Sequence, residues 1–272
     1  MRRLILRPGA IGDCILSIPA MEHLVCEYTE IWIPSPVVPL IQFADKVRPL
    51  ASTGIDLVGV GNLATPAPLE KHLKSFDSAV SWYGANRASF RDALTATGVP
   101  CAFLPALPPN GYRGHATAFF ADQVGANPKA IPRIQVNACS RRDAIVIHPF
   151  SGSKQKNWPL ATYRELASAL NRPVEWTAGP EEDLAGAHRF EDLAQLARWL
   201  SGARLYIGND SGITHLAAAV GIPTIALFGP TDPIRWAPRG DNVTVIRAEP
   251  IEELPVETVL AAVNRQLNLP SA

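Results

Sequence analysis

Short apolar runs alternate with helical patterns along this chain, and that alternation constrains its fold more than any other feature. Leu4–Arg7, Glu30–Ile33, Ile55–Val60, Ala79–Trp82 and Val99–Leu104 read as strands in the first half. Ala144–His148, Val174–Ala178, Leu205–Gly208, Thr224–Phe228 and Val243–Ile246 do so in the second. Several are apolar without interruption, as strands covered on both faces of a parallel sheet must be. Between them lie the helical stretches Gly12–Val25, Leu160–Leu170, Leu193–Ser201, Ile213–Val220 and Val256–Leu267. The expected class is therefore α/β with parallel sheets. Ten strands are many for one doubly wound sheet, so the 272 residues are expected to form two domains, 1–140 and 141–272. The boundary is expected in Lys129–Arg142, which is polar and carries Pro132.

Charge excludes some functions. Lys plus Arg is 25 and Asp plus Glu is 25, so the chain lacks the basic surplus that nucleic-acid or anionic-membrane binding needs. The hydrophobic share of 47% is enough for real cores and argues against disorder. Cys14, Cys26, Cys101 and Cys139 form no C-x-x-C pair, as expected of a chain in a reducing compartment. The basic start Met1–Arg7 imitates a leader, but Arg7 and Asp13 interrupt its apolar run. The longest apolar stretch, His215–Phe228, is broken by Gly221 and Pro223 and is too short to span a bilayer. The expectation is a soluble cytoplasmic protein.

In open α/β sheets, ligands bind beyond the carboxyl ends of the strands. After the first strand, Gly9 and Gly12 allow a tight turn, and Asp13 stands at the start of a helix. It is either a general base or a helix cap. After the sixth strand, Ser151-Gly152-Ser153 offers small donors to phosphate oxygens, and Lys154 and Lys156 add charge. The other reading is an exposed polar loop anchored by Trp158. After the eighth strand, Asp210-Ser211-Gly212 opens a helix whose free N–H groups suit an anion, with His215 one turn in. The plain alternative is a helix cap and a core histidine. Gly229-Pro230-Thr231 makes a second tight loop beside it, and Glu182 follows the seventh strand, where a carboxylate could meet a ribose diol.

Other motifs point nowhere. Gly59-x-Gly61-x-x-Ala64 matches a dinucleotide fingerprint, but Pro66 and Pro68 are expected to disrupt the helix that it needs. There is no G-x-x-x-x-G-K-[ST] loop, no G-x-S-x-G elbow, and no D-x-D pair or histidine cluster for a metal. No cofactor is expected.

Three ordered blocks carry a resemblance. They are Ile11-Gly12-Asp13 with Pro19-Ala20, His148-Pro149 through Lys156-x-Trp158-Pro159, and Gly208-Asn209-Asp210-Ser211-Gly212-x-x-His215-Leu216-Ala217-Ala218 continuing to Phe228-Gly229-Pro230-Thr231. Together they resemble glycosyltransferase family 9, the ADP-heptose:lipopolysaccharide heptosyltransferases, of which this would be a short member. The resemblance implies a GT-B fold, two Rossmann-like domains facing a cleft, with the acceptor on residues 1–140 and the nucleotide-sugar on 141–272. It implies inverting, metal-independent transfer of a sugar, most simply heptose from ADP-heptose, to a lipopolysaccharide-type or other glycan or glycolipid acceptor. Such an acceptor would bring the protein to the inner face of the cytoplasmic membrane. Asp13 matches the general base, and Ser151, Gly152, Lys156, Glu182, Asp210, Ser211, Gly212 and His215 match donor-binding positions. Two rival readings stand beside it: a non-catalytic nucleotide-sugar binder, and another GT-B activity such as an epimerase.

Overall fold

The computed structural model describes residues 1–61, 65–137 and 139–267. They divide into two units, one of Met1–Tyr112 with Ala116–Ala130, the other of Arg113–His115 with the residues from Ile131 onward. The first unit runs β1 (Arg2–Leu6), α1 (Ile11–Leu16), α2 (Ile18–His23), β2 (Tyr28–Ile33), β3 (Lys46–Pro49), α3 (Ala67–Leu73), β4 (Ser78–Ser81), α4 (Ala88–Thr95), β5 (Cys101–Phe103) and α5 (Ala116–Asp122). The second runs β6 (Ile145–His148), α6 (Leu160–Ala169), β7 (Val174–Trp176), α7 (Leu193–Ser201), β8 (Leu205–Asn209), α8 (Gly212–Ala219), β9 (Thr224–Phe228), α9 (Pro233–Trp236), β10 (Val243–Arg247) and α10 (Val256–Leu267).

Each unit holds a five-stranded sheet, ordered β3-β2-β1-β4-β5 in the first and β10-β9-β8-β6-β7 in the second. All neighbours pair parallel. The strand order reverses between β1 and β4 and between β8 and β6, so each unit has one switch point where strand-end loops diverge and leave a crevice. Alternate residues build the cores. Ile145, Ile147, Leu205, Ile207, Ile225 and Leu227 pack with Trp158, Tyr163, Val259 and Val263 in the second unit. Leu4, Leu6 and Trp32 pack with Ile55, Leu73, Phe90 and Leu94 in the first.

Nine of the ten expected strands form, within a residue or two at their ends. Ile55–Val60 does not. Gly54 and Gly59 take φ of +74° and +70°, and a 3-10 turn covers Ile55–Leu57 between them. Ile55 and Val58 are buried while Leu57 and Val60 are exposed, a three-residue spacing where a strand would show two. A Cβ on Gly59 would stand 2.5 Å from the Ser89 backbone, so this bend needs glycine. The missed strand is β3, a polar edge strand (Lys46-Val47-Arg48-Pro49) of the kind that resists further pairing.

The expected helix Gly12–Val25 is split at Ser17, because Pro19 at the second position of α2 cannot donate to Ile15. Pro66 and Pro68 do not disrupt a helix; they flank the first residue of α3, where a missing N–H costs nothing. The end of the Gly59–Ala64 motif, residues 62–64, lies outside the described residues.

A carboxylate is buried inside the first unit. Glu30 is fully buried, and its Oε1 accepts from Trp32 Nε1 at 2.7 Å and faces His72 Nε2 at 3.1 Å and Arg48 at 3.7 Å. Burial opposes the charge, but the hydrogen bonds from Trp32 and His72, with the charges of His72 and Lys46, outweigh it and hold this carboxyl below its usual range. The contribution to stability is thus present above that range and is lost as the pH falls through the folded value. In Glu30→Gln the amide oxygen can take the place of Oε1, but it offers Arg48 and His72 no negative charge. The substitution is expected to cost on the order of 1–3 kcal/mol, read as a lower urea midpoint. An unchanged midpoint would mean that the cluster is energetically idle.

Candidate functional site

The switch point of the second unit gathers the sequence-predicted residues of two loops. Asn209, at the end of β8, is fully buried and uses its whole amide. Its Oδ1 accepts from the Trp158 N–H and from the Tyr163 hydroxyl, both at 3.0 Å. Its Nδ2 donates to the Pro149 carbonyl at 2.8 Å. One side chain thus ties both ends of the loop after β6 to the end of β8. Within that loop, the Ser151 hydroxyl lies 2.7 Å from Asn157 Oδ1 and 2.8 Å from the Ser153 carbonyl. Gly152 faces open space, since a Cβ there would meet nothing within 4 Å.

The loop closes in a 3-10 turn, Lys154–Lys156, that aims Lys156 back at β8. Its Nζ lies 2.7 Å from Asp210 Oδ2, and the Asp210 side chain is 7% exposed against 33% for the lysine. Such a pair is a cation already placed, with one face still open to an incoming anion. Ser211 caps α8, accepting from the Thr214 N–H. The first N–H groups of that helix, Gly212 and Ile213, have no intrahelical acceptor and point beyond the strand end. Gly208 is required here because a Cβ would come within 2.4 Å of the Tyr206 hydroxyl, which reaches Thr214 Oγ1 at 3.2 Å. Gly229, after β9, brings the next loop alongside, its Cβ position 3.5 Å from the Gln155 carbonyl.

His215 lies within α8, buried, and its Nδ1 has no hydrogen-bond partner among the described residues. Burial drives its pKa down to about 4; Asp210 opposes this, while His115 and Lys156 add to it. His115, which sequence reasoning passed over, comes from the short Arg113–His115 segment of this unit. Its Nε2 donates to the Ala237 carbonyl at 2.8 Å, and burial lowers its pKa to about 4 as well. Both imidazoles are neutral at pH 7. Unfolded histidines take up protons near 6.5 and these only near 4, so this unit is most stable above 6.5 and weakens as the pH is lowered toward 4. Thermal midpoints should fall over that window, with a shallower slope in His215→Gln. A midpoint that stays level down to pH 4.5 would show that neither histidine is held neutral.

Glu182 stands at the next strand end. Its Oε2 accepts from the Gly179 N–H at 2.6 Å and lies 3.8 Å from His148 Nε2. His148 is buried, bonded through Nδ1 to the Thr177 carbonyl at 3.0 Å, and burial lowers its pKa. Arg189 donates to the Gly179 and Glu182 carbonyls and closes this turn.

In the first unit, Asp13 sits at the β1 switch point, third residue of α1. Its Oδ2 accepts from the Ala10 N–H at 3.1 Å, so the capping role read from the sequence is real. Gly9, at φ +122°, makes room for it, since a Cβ there would lie 3.2 Å from Oδ2. Oδ1 bonds to no described residue, and the side chain is partly exposed. One carboxylate oxygen is fastened and the other is open.

Among the described residues, no group of three or more His, Cys, Asp or Glu could hold a metal ion, and no helix is long and apolar enough to cross a membrane.

Two parallel sheets with loops converging at their switch points define a doubly wound α/β protein of the ligand-binding kind. The chain belongs to glycosyltransferase family 9 (heptosyltransferase), whose profile matches residues 114–259, more than half of its length. It is 39% identical over 93 residues to lipopolysaccharide heptosyltransferase 1 of Pseudomonas aeruginosa, covering 29% of this chain and 26% of that one. That stretch, like the match to the Escherichia coli lipopolysaccharide heptosyltransferase 3, spans well under two thirds of the relative's own length. The solved E. coli ADP-heptose lipopolysaccharide heptosyltransferase II superposes with a TM-score of 0.74 at 16% identity, covering 98% of each chain. An E. coli heptosyltransferase determined with ADP gives 0.69 at 19% identity, covering 98% of this chain and all of the other. These likenesses establish the GT-B type of fold.

Proposed function

We propose that this protein is an inverting glycosyltransferase that moves a heptose from ADP-heptose to a lipopolysaccharide-type acceptor at the inner membrane face, and needs no metal to do so. The observation that carries the reading is the Lys156–Asp210 pair, 2.7 Å apart, beside the N-terminus of α8 and the unpartnered His215. A nucleoside diphosphate leaving group gains negative charge as the glycosidic bond breaks. A lysine and a helix N-terminus are the donors that stabilise such charge where no cation is present. Family membership supports the reaction class, and the ADP bound to the E. coli relative supports the nucleotide.

In this reading unit two holds the donor through Ser151, Gly152, Lys156, Asp210, Ser211, Gly212 and His215, with Glu182 at the ribose, and unit one holds the acceptor. Asp13 takes the proton of the acceptor hydroxyl. The acceptor oxygen forms its bond to the anomeric carbon as the bond to the phosphate oxygen breaks, in one displacement that inverts the centre. The proton ends on Asp13 Oδ1, and the electron pair leaves with ADP.

The test is a calorimetric titration with ADP, UDP and GDP, with and without EDTA, followed by mass spectrometry of products from ADP-heptose and heptose-free lipopolysaccharide. ADP-selective, EDTA-insensitive binding and an acceptor heavier by one heptose are expected. Binding without turnover would favour a carrier role, and a donor altered at unchanged mass an epimerase.

A further inference from the structure

Arg7 carries a buried charge that makes no direct ion pair among the described residues, although the charge of Asp13 is near enough to favour it. It follows β1 directly, its N–H donates to the Trp32 carbonyl at 2.9 Å, and its side chain is fully buried. Among the described residues no carboxylate lies within ion-pair distance of it, the ion pairs of the chain lying elsewhere. The guanidinium lies instead over the Phe120 ring, 4.4 Å from its centroid, with the Trp82 ring at 5.8 Å. Burial outweighs the distant Asp13 charge, and an apolar side chain of similar length would fill the space without that cost. The geometry shows what a guanidinium alone supplies there.

Its rigid fork reaches three elements at once. Nη2 donates to the Asp13 carbonyl in α1 at 2.9 Å. Nε donates at 2.7 Å to the hydroxyl of Ser17, the residue between α1 and α2. Nη1 donates at 3.2 Å to the Ala106 carbonyl in the loop after β5. Ser17 passes the link on, its hydroxyl donating to the Cys14 carbonyl at 2.8 Å. Asp13 is therefore held from two sides: its backbone by Arg7 beneath, its carboxylate by the Ala10 N–H and Gly9 above. A six-residue helix cannot hold its own shape without such support.

We propose that Arg7 is the positioning residue for Asp13, fixing the reach of the open oxygen toward the acceptor hydroxyl. This rests on Asp13 being the base, as proposed above. The test compares wild type with Arg7→Met, Arg7→Lys, Ser17→Ala and Asp13→Asn, using ADP-heptose and heptose-free lipopolysaccharide, and measures ADP affinity on each variant. The ADP loops lie in the other unit, so ADP affinity reports on that unit alone, and the thermal midpoint of each variant reports whether the unit around Arg7 is folded. Arg7→Met should lower kcat by about 100-fold, the scale of a misplaced reacting group, with both KM values and the ADP Kd within about threefold of wild type. Arg7→Lys should recover about a tenth of wild-type kcat, keeping charge and losing the fork, and Ser17→Ala should cost a few-fold. A kcat within about twofold of wild type in Arg7→Lys and Ser17→Ala would overturn the proposal even if Arg7→Met fails to fold. So would a fall in thermal midpoint and a rise in acceptor KM that track the loss of kcat across the variants, which marks a general structural role. If Asp13→Asn keeps wild-type kcat, the base assignment fails and the Arg7 proposal with it. If Asp13→Asn is inactive while the Arg7 variants are not, only the Arg7 proposal fails.

Discussion

Replacing Asp13 by asparagine is expected to lower kcat by about 10²- to 10⁴-fold, the range for a lost general base, and to leave ADP affinity unchanged. The substitution suits this site because of the contact that Asp13 makes. An asparagine Oδ1 can still accept from the Ala10 N–H, now at 3.1 Å from the carboxylate, so the start of α1 survives. The amide places an NH₂ where the free carboxylate oxygen stands, and an NH₂ cannot accept a proton. Thermal stability within about a degree of wild type, with kcat reduced, would separate chemistry from capping. Equal activity in the two proteins would end the base assignment and leave Asp13 as a cap only.

Lys156→Ala carries the second large effect. A charge-assisted contact is worth about 1.5–3 kcal/mol, so ADP affinity is expected to fall by roughly 10- to 150-fold. The variant also leaves the nearly buried Asp210 carboxylate without its cation, which should lower stability. The double variant Lys156→Ala with Asp210→Asn separates the two effects. Removing the unpaired charge should restore stability while ADP affinity stays low. Recovery of affinity in the double variant would mean that Lys156 serves only to neutralise Asp210, and that the phosphates are held elsewhere.

Nearly all of the sheet architecture was legible in the residues. Buried parallel strands such as Ile145–His148 and Thr224–Phe228 must be apolar on both faces, and that pattern is unmistakable without coordinates. The exceptions have local causes. Lys46–Pro49 is a strand through its pairing with β2, against its own composition, and Ile55–Val60 is a bend because Gly54 and Gly59 turn the chain. The loops that hold the candidate site were equally legible, since glycines, serines and a lysine after apolar strands mark backbone that must approach a ligand.

What the sequence determined by itself is therefore the two-sheet class, the strand-end loops and their chemical character. Tertiary structure decided which groups meet. Lys156 and Asp210 are 54 residues apart and become an ion pair because β6 and β8 are neighbours in the sheet. Asn209 becomes the tie between two loops, and His115 joins a unit from which most of its sequence neighbours are absent. Arg7 reads in the sequence as a charge that merely interrupts an apolar run, and folding sets its guanidinium against the Ala106 carbonyl, 99 positions away. Periodicity records which face of an element is buried. It does not record which distant donor and acceptor satisfy each other there, because that pairing depends on strand order and on loop closure rather than on any local preference.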